Sequence, residues 1–323
     1  MKTDEMVANY NAIFTQIHKR FKWTNKTVFM AAAAIYTMKS KPFELETFNR
    51  TAESIKEQAG WFSPMKSHPR FTVAAILDVN LDDPVQHVPQ IFTIYDDLIN
   101  QFKRGNFTYI VATIILTSNE DVERGELIRK AKMIYDDMKK EHPFLTGQSD
   151  YPLAVLLAYE NQDDMRERME YFYDRLNEYQ FNKGNNLQFL SHILSLAHTE
   201  NDNELINRVI QIYDDFKRVG LKQKSSYYPI MGMLALLPPH TINMEAVVSI
   251  YKKIQQLKHF KWQKDLNVMM AVSFFVSEKL EHANIAETSI YTAVESIIQA
   301  QQAVMIGSIA GAAAATSSSS GSN

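Results

Sequence analysis

The chain has 323 residues, a length that at about 100–200 residues per domain predicts two domains. Its 46% hydrophobic and 22% charged residues fit a soluble globular protein. The absence of cysteine excludes disulfides, zinc fingers, iron–sulfur clusters, thiol catalysis and palmitoylation. A net charge of −3, from 34 basic and 37 acidic residues, argues against a non-specific nucleic-acid binder.

The opening MKTDEMVANYNAIFTQIHKRF is charged from its second residue and has no apolar core ahead of a small-residue cleavage site. It does not read as a signal peptide, and a cytoplasmic location is expected. Residues 1–20 are predicted to form one helix that caps the elements that follow.

Those elements repeat. The string IYDD occurs at Ile94–Asp97, Ile134–Asp137 and Ile212–Asp215, with a variant at Phe172-Tyr173-Asp174-Arg175. Ile13, Ile55, Ile250 and Ile290 fall into the same frame, so eight anchors follow one another in steps of 38–42 residues. A small residue inside an apolar run trails each of the first seven anchors: Ala32, Ala74, Ala112, Ala154, Ser191, Gly232 and Ala271. Each period therefore holds two helices, a short apolar one carrying the small residue and a longer one carrying the anchor.

The longer helix can be read by angle, at 100° per residue. Apolar residues stand three before the anchor (Ile91, Ala131, Met169, Val209, Val247) and four after it (Leu98, Met138, Leu176, Phe216, Ile254). With the tyrosine they form one core-facing stripe, and the first aspartate of each IYDD faces the other way, toward water. Asn/Asp/Ser clusters such as Asn80–Pro84, Asn161–Asp164 and Glu200–Asn203 mark turns and read as helix caps. Gly105, Gly147, Gly184 and Gly220 punctuate the connections between periods.

The expected fold is an all-α solenoid of seven to eight two-helix repeats of about 40 residues, akin to tetratricopeptide or HEAT arrays. It replaces the two-domain estimate with one quasi-linear domain, residues 1–300, and an Ala/Ser-rich tail, residues 301–323. The longest apolar stretch, Ala303 to Ala315, is shorter than the ~20 residues a membrane span needs. Gly307 and Gly311 form a GxxxG there, which reads as low-complexity composition.

Asp96, Asp136, Asp174 and Asp214 occupy the same place in four consecutive periods, so a regular stack aligns them as an acidic stripe. Members about 10 Å apart lie near the screening length at physiological salt, and such a row attracts a basic peptide. The simpler reading is a solvated helix face, and Lys252-Lys253 interrupt the row in the next period. The stripe requires all four to be exposed; burial of two or more against neighbouring repeats removes it. Asp163, Asp164 and Glu167 place three carboxylates within one turn, as magnesium–diphosphate chemistry needs, but there is no facing second cluster and capping accounts for the aspartates.

Nine histidines offer no ligand spacing; the nearest pair, His192 and His198, lies six apart. HExxH, the P-loop, GxGxxG and GxSxG are absent. No catalytic residue, metal ligand or cofactor is assigned, and enzymatic activity is left open with the weight against it.

The segments RFKWTNKTVFMAAAAIYTM, SHPRFTVAAIL, SDYPLAVLLA and the recurring IYDD resemble an uncharacterised bacterial family, domain of unknown function 4003, found mainly in Gram-positive species. The resemblance covers roughly residues 5–300 and implies neither an activity nor catalytic residues. The expected function is a non-enzymatic scaffold presenting an extended groove to a protein or peptide, with no nucleic acid as partner. The alternative is an enzyme or small-ligand binder with a carboxylate-containing site in the concavity, similar to isoprenoid or prenyltransferase proteins. A deep pocket holding two or more converging carboxylates, or a histidine beside a carboxylate, would favour that alternative, and a shallow open groove with a single-sign rim the scaffold.

Overall fold

A computed structural model describes residues 3–22, 25–118, 122–160, 164–197 and 201–282. Among them the chain is all-helical, with fourteen α-helices, four short 3-10 turns and no strand. In chain order the helices are α1 (Thr3–Arg20), α2 (Lys26–Met38), α3 (Leu45–Gln58), α4 (Pro69–Asn80), α5 (Pro84–Leu98), α6 (Asn106–Thr117) and α7 (Arg124–Glu141). They continue with α8 (Tyr151–Tyr159), α9 (Met165–Glu178), α10 (Asn185–Ser195), α11 (Asp202–Arg218), α12 (Tyr228–Ala235), α13 (Met244–Gln256) and α14 (Lys264–His282). The period at Ile290 and the tail, with its GxxxG, lie outside the described residues.

Two kinds of helix alternate, as their sequences dictate. The even-numbered helices are the more buried kind: Val28–Met38 of α2 and Tyr151–Ala158 of α8 are buried without a break, while α10 also buries Gln188 and His192. A helix with no polar face must be covered all round. The odd-numbered helices are amphipathic and bury one stripe, as α11 does with Leu205, Ile206, Val209, Ile212 and Phe216. All ten residues expected three before and four after the anchors are buried, from Ile91 to Ile254. Truncating one of them, such as Leu176→Ala, removes about 2–5 kcal/mol.

The chain forms two compact units. In one, residues 8–128, α2 lies against α4 and α4 against α6, while α3 packs on α4 and α5, and α5 on α6. In the other, residues 3–7 and 129–282, α10 lies between α8 and α12, and α12 in turn contacts α14. There α9 packs on α10 and α11, α11 on α12, and α13 on α14. Gly232 marks the closest approach: a Cβ added to it lies 2.8 Å from Leu190 Cδ1 and 3.1 Å from Ile193 Cγ2 of α10. The other small residues of the series, Ala32, Ala74, Ala112, Ala154, Ser191 and Ala271, are all buried.

Helix ends follow the expected punctuation in part. Asn201 caps α11, its side chain accepting from the Asn203 and Glu204 amides at 3.0 and 3.3 Å. Asp164 stands at the N-cap of α9 but makes no capping bond. Its φ of −100° and ψ of 18° are not the extended backbone that turns a side chain back onto the first turn. Asp83 accepts instead from the Gln86 side chain at 2.7 Å. Helices α9 and α11 end alike, with left-handed residues Gln180 (φ 77°) and Gly220 (φ 81°) and a return bond from the next amide. Those bonds run from Phe181 to Leu176 O (3.3 Å) and from Leu221 to Phe216 O (2.8 Å).

Candidate functional site

The odd-numbered helices carry the four aspartates on the side away from their buried stripes. Asp96 of α5, Asp136 of α7, Asp174 of α9 and Asp214 of α11 are all exposed. Lys132, one turn earlier in α7, donates to Asp136 at 2.6 Å, leaving that carboxylate partly neutralised. Among the described residues no hydrogen bond or ion pair ties down the carboxylate of Asp96, Asp174 or Asp214. The second aspartates of the pairs are used locally: Asp97 accepts from Arg124 at 3.0 Å and Asp215 from Arg218 at 2.9 Å.

A second set of charged residues is consumed by the fold. Arg168 of α9 is buried and donates to Ser195 O (3.1 Å) and Ala197 O (2.7 Å) at the end of α10, and to the Asp202 carboxylate (2.8 Å). Forty residues on, Arg208 of α11 donates to Ala235 O (2.5 Å) and Leu237 O (3.3 Å) at the end of α12. The last carbonyls of a helix have no partner within it, and a guanidinium reaches two of them at once. The signal was present in the sequence as an arginine four before the anchors Phe172 and Ile212, and the angular reading passed over it.

A polar cluster crosses the core of the 129–282 unit. The His142 Nε2 and Glu170 Oε2 atoms lie 3.1 Å apart, although the ring N–H is not aimed along that line. The carboxylate beside it raises the His142 pKa. The His142 ring also rests on Tyr173, with centroids 4.4 Å apart. Gln188 donates to Thr146 at 2.8 Å, and Thr146 to Met138 O at 2.9 Å. His192 on α10 is 1% exposed, and burial first, then the nearby His142, pushes its pKa down to about 3. Its Nδ1 and the Gln188 Oε1 have no hydrogen-bond partner. Such a set can hold a neutral imidazole at neutral pH and accept a hydrogen bond from a small polar molecule. His198 lies outside the described residues.

The 8–128 unit has its own buried pair. The Tyr36 hydroxyl of α2 donates to the Asp78 carboxylate of α4, and Lys41 donates to the Asp78 and Leu81 carbonyls. Burial raises the pKa of both Tyr36 and Asp78. Among the described residues, no group of three or more His, Cys, Asp or Glu is placed to hold a metal ion, and no helix is long and apolar enough to cross a membrane.

Residues 13–303 match the family described as "Protein of unknown function (DUF4003)". The chain belongs to this family. It is also 34% identical over 319 residues to the uncharacterised protein YeaA of Bacillus subtilis (strain 168), covering 97% of this chain and 96% of that protein. No solved structure matches. Membership of the DUF4003 family agrees with the resemblance read from the apolar runs and IYDD strings, and carries no residue roles to set against those above. The site therefore rests on geometry alone.

Proposed function

We propose that this DUF4003 protein is an α-solenoid of two-helix repeats that acts as a non-enzymatic scaffold for a protein or peptide partner in the cytoplasm. The repeat reading is supported by contacts that recur under a 40-residue shift. Arg168 and Arg208 grip carbonyls 195 and 235 and carbonyls 197 and 237, and the left-handed residues are 180 and 220. Long stacked arrays expose wide surfaces, and chemistry is not needed for them to function.

The observation that carries the binding role is the exposure of all four aspartates at one helical position. A carboxylate in each of four consecutive repeats matches a partner with spaced lysines or arginines. Capture from cell lysate tests this, using the wild type and the variant with Asp96, Asp136, Asp174 and Asp214 each changed to Asn. Basic proteins retained by the wild type and lost by the variant are expected. Equal recovery by both sinks the stripe.

A second reading, a small-ligand or isoprenoid-type site, is favoured by His142 beside Glu170 with two unpartnered buried atoms nearby. A farnesyl diphosphate–dependent rise in melting temperature that disappears in His142→Gln would support it. No rise at saturating ligand retires it.

A further inference from the structure

The 129–282 unit has two unlike edges. Successive even-numbered helices start side by side on one of them, as three bonds establish. Gln188 near the start of α10 reaches Thr146 before α8, and the Asn182 amide before α10 donates to the Tyr228 hydroxyl at the start of α12 at 3.1 Å. Lys224 before α12 donates to Asp265 at the start of α14 at 2.6 Å. The four connections that lead into α8, α10, α12 and α14 therefore share one edge.

That edge is basic. Counted from the last three residues of each odd-numbered helix to the first of the next, the four connections hold ten Lys/Arg and three acids. The three acids are already neutralised or buried: Glu141 pairs with Arg166, Glu178 with Arg175, and Asp150 is inside. Lys140, Lys183, Lys222, Lys258, Lys261 and Lys264 are exposed and enter no ion pair among the described residues. Among the described residues, the three connections on the opposite edge, counted in the same way, hold no Lys or Arg and three acids, Glu160, Asp164 and Asp202, the last paired with Arg168.

The basic edge also carries uncovered rings. Phe144 is 99% exposed, Trp262 81% and Tyr179 45%, each on a different connection. Half-buried Leu145 adjoins Phe144 along the chain. A bare phenylalanine, and a tryptophan met only by the Lys261 ammonium 5.5 Å from its ring centroid, leave most of their transfer free energy unrealised at these loop tips. The 8–128 unit shows the same device by itself, in Trp61 (86%) and Phe62 (96%) on the connection into α4.

We propose that the basic edge of the 129–282 unit docks on a membrane surface of anionic phospholipid, with Phe144 and Trp262 inserted at the headgroup level and the surrounding lysines against the lipid phosphates. Tryptophan favours that boundary, and lysines near an anionic surface are drawn to it. The acidic edge, at the other end of the same helices, points away and sets the orientation. A nucleic acid is the poorer fit: the rings sit singly on separate tips, not along a groove that tracks a phosphate backbone.

Flotation of the full chain with phosphatidylglycerol–phosphatidylcholine vesicles tests the proposal, with phosphatidylcholine alone as the contrast. The chain is expected to float with the anionic vesicles, less as salt rises, and not with the neutral ones. Phe144→Ser with Trp262→Ser should weaken binding roughly tenfold or more. Lys222→Glu, Lys258→Glu and Lys261→Glu together should weaken it further, by about fivefold per lysine. As a measurement that leaves this edge intact, Trp23→Phe with Trp61→Phe makes Trp262 the sole tryptophan, and its emission should shift to the blue on anionic vesicles. Three results overturn the proposal: no flotation, no shift of Trp262, or tighter binding of single-stranded RNA lost through the same lysine substitutions.

Discussion

The two units solve one problem, the unpartnered carbonyls at the ends of their even-numbered helices, in different ways. In the 129–282 unit the donor is an arginine at a fixed place in the preceding helix, Arg168 for α10 and Arg208 for α12. In the 8–128 unit the donor for α4 is Lys41, from the connection after α2, and the carboxylate of Asp78 at the same end is held by Tyr36. A residue that returns every 40 positions fixes neighbouring helices in register wherever the repeat occurs. A tyrosine–aspartate pair with a loop lysine works only once, between the two helices that carry it.

If that contrast is real, the arginines should matter most. Arg168→Met is expected to remove about 2–4 kcal/mol of stability, because two buried carbonyls lose their donor. Arg208→Met, at a less buried arginine, should remove about 1–2 kcal/mol, and Lys41→Met about 1 kcal/mol. Chemical denaturation of the three variants orders them. A Lys41 effect as large as that of Arg168 would erase the distinction.

Acid should also separate the units. The His192 pKa falls from 6.5 unfolded to about 3 folded, so its contribution is present above pH 6.5 and lost as pH falls toward 3. The limiting slope is about 1.4 kcal/mol per pH unit. Asp78 runs the other way: its folded pKa lies above the ordinary 3.8, so its contribution is complete below 3.8 and lost as pH rises through the folded value. Hydrogen exchange corrected for pH should therefore show α10 opening on acidification while α4 holds. His192→Leu should flatten the response of α10, and an unchanged response would assign it to another group.

The smallest effect compares two turns. Gln180 adopts the left-handed backbone that Gly220 adopts forty residues later. Gln180→Gly should stabilise by about 0.5–1 kcal/mol, and Gly220→Gln should destabilise by a similar amount. Thermal melts that move both variants in the same direction would count against the equivalence of the two ends.

Much of the fold was legible beforehand. The angular reading named the buried stripe of each odd-numbered helix from Ile91 to Ile254, because a helix that rests on a core on one side repeats its apolar residues every three or four positions. It named the small residue at Gly232, where the Leu190 and Ile193 side chains of α10 leave no room for a Cβ. The Asp164 cap was misread, since capping depends on the backbone angles at one residue and composition does not report them. The candidate site was legible only at its surface. Exposure of Asp96, Asp136, Asp174 and Asp214 follows from the period, while the meeting of His142 with Glu170, and of Tyr36 with Asp78, joins side chains 28 and 42 positions apart.

The sequence by itself determined that the chain is helical, where its helices alternate between mainly apolar and one-sided, and which aspartates face water. Those properties depend on neighbours within a turn or two, which periodicity records. The tertiary structure alone decided which carbonyls Arg168 seals, that His192 stays uncharged in the core, and that the lysines of four connections and the exposed rings of three of them gather on one edge. Each of these depends on distances between residues far apart in the chain, and such distances exist only once the helices have packed.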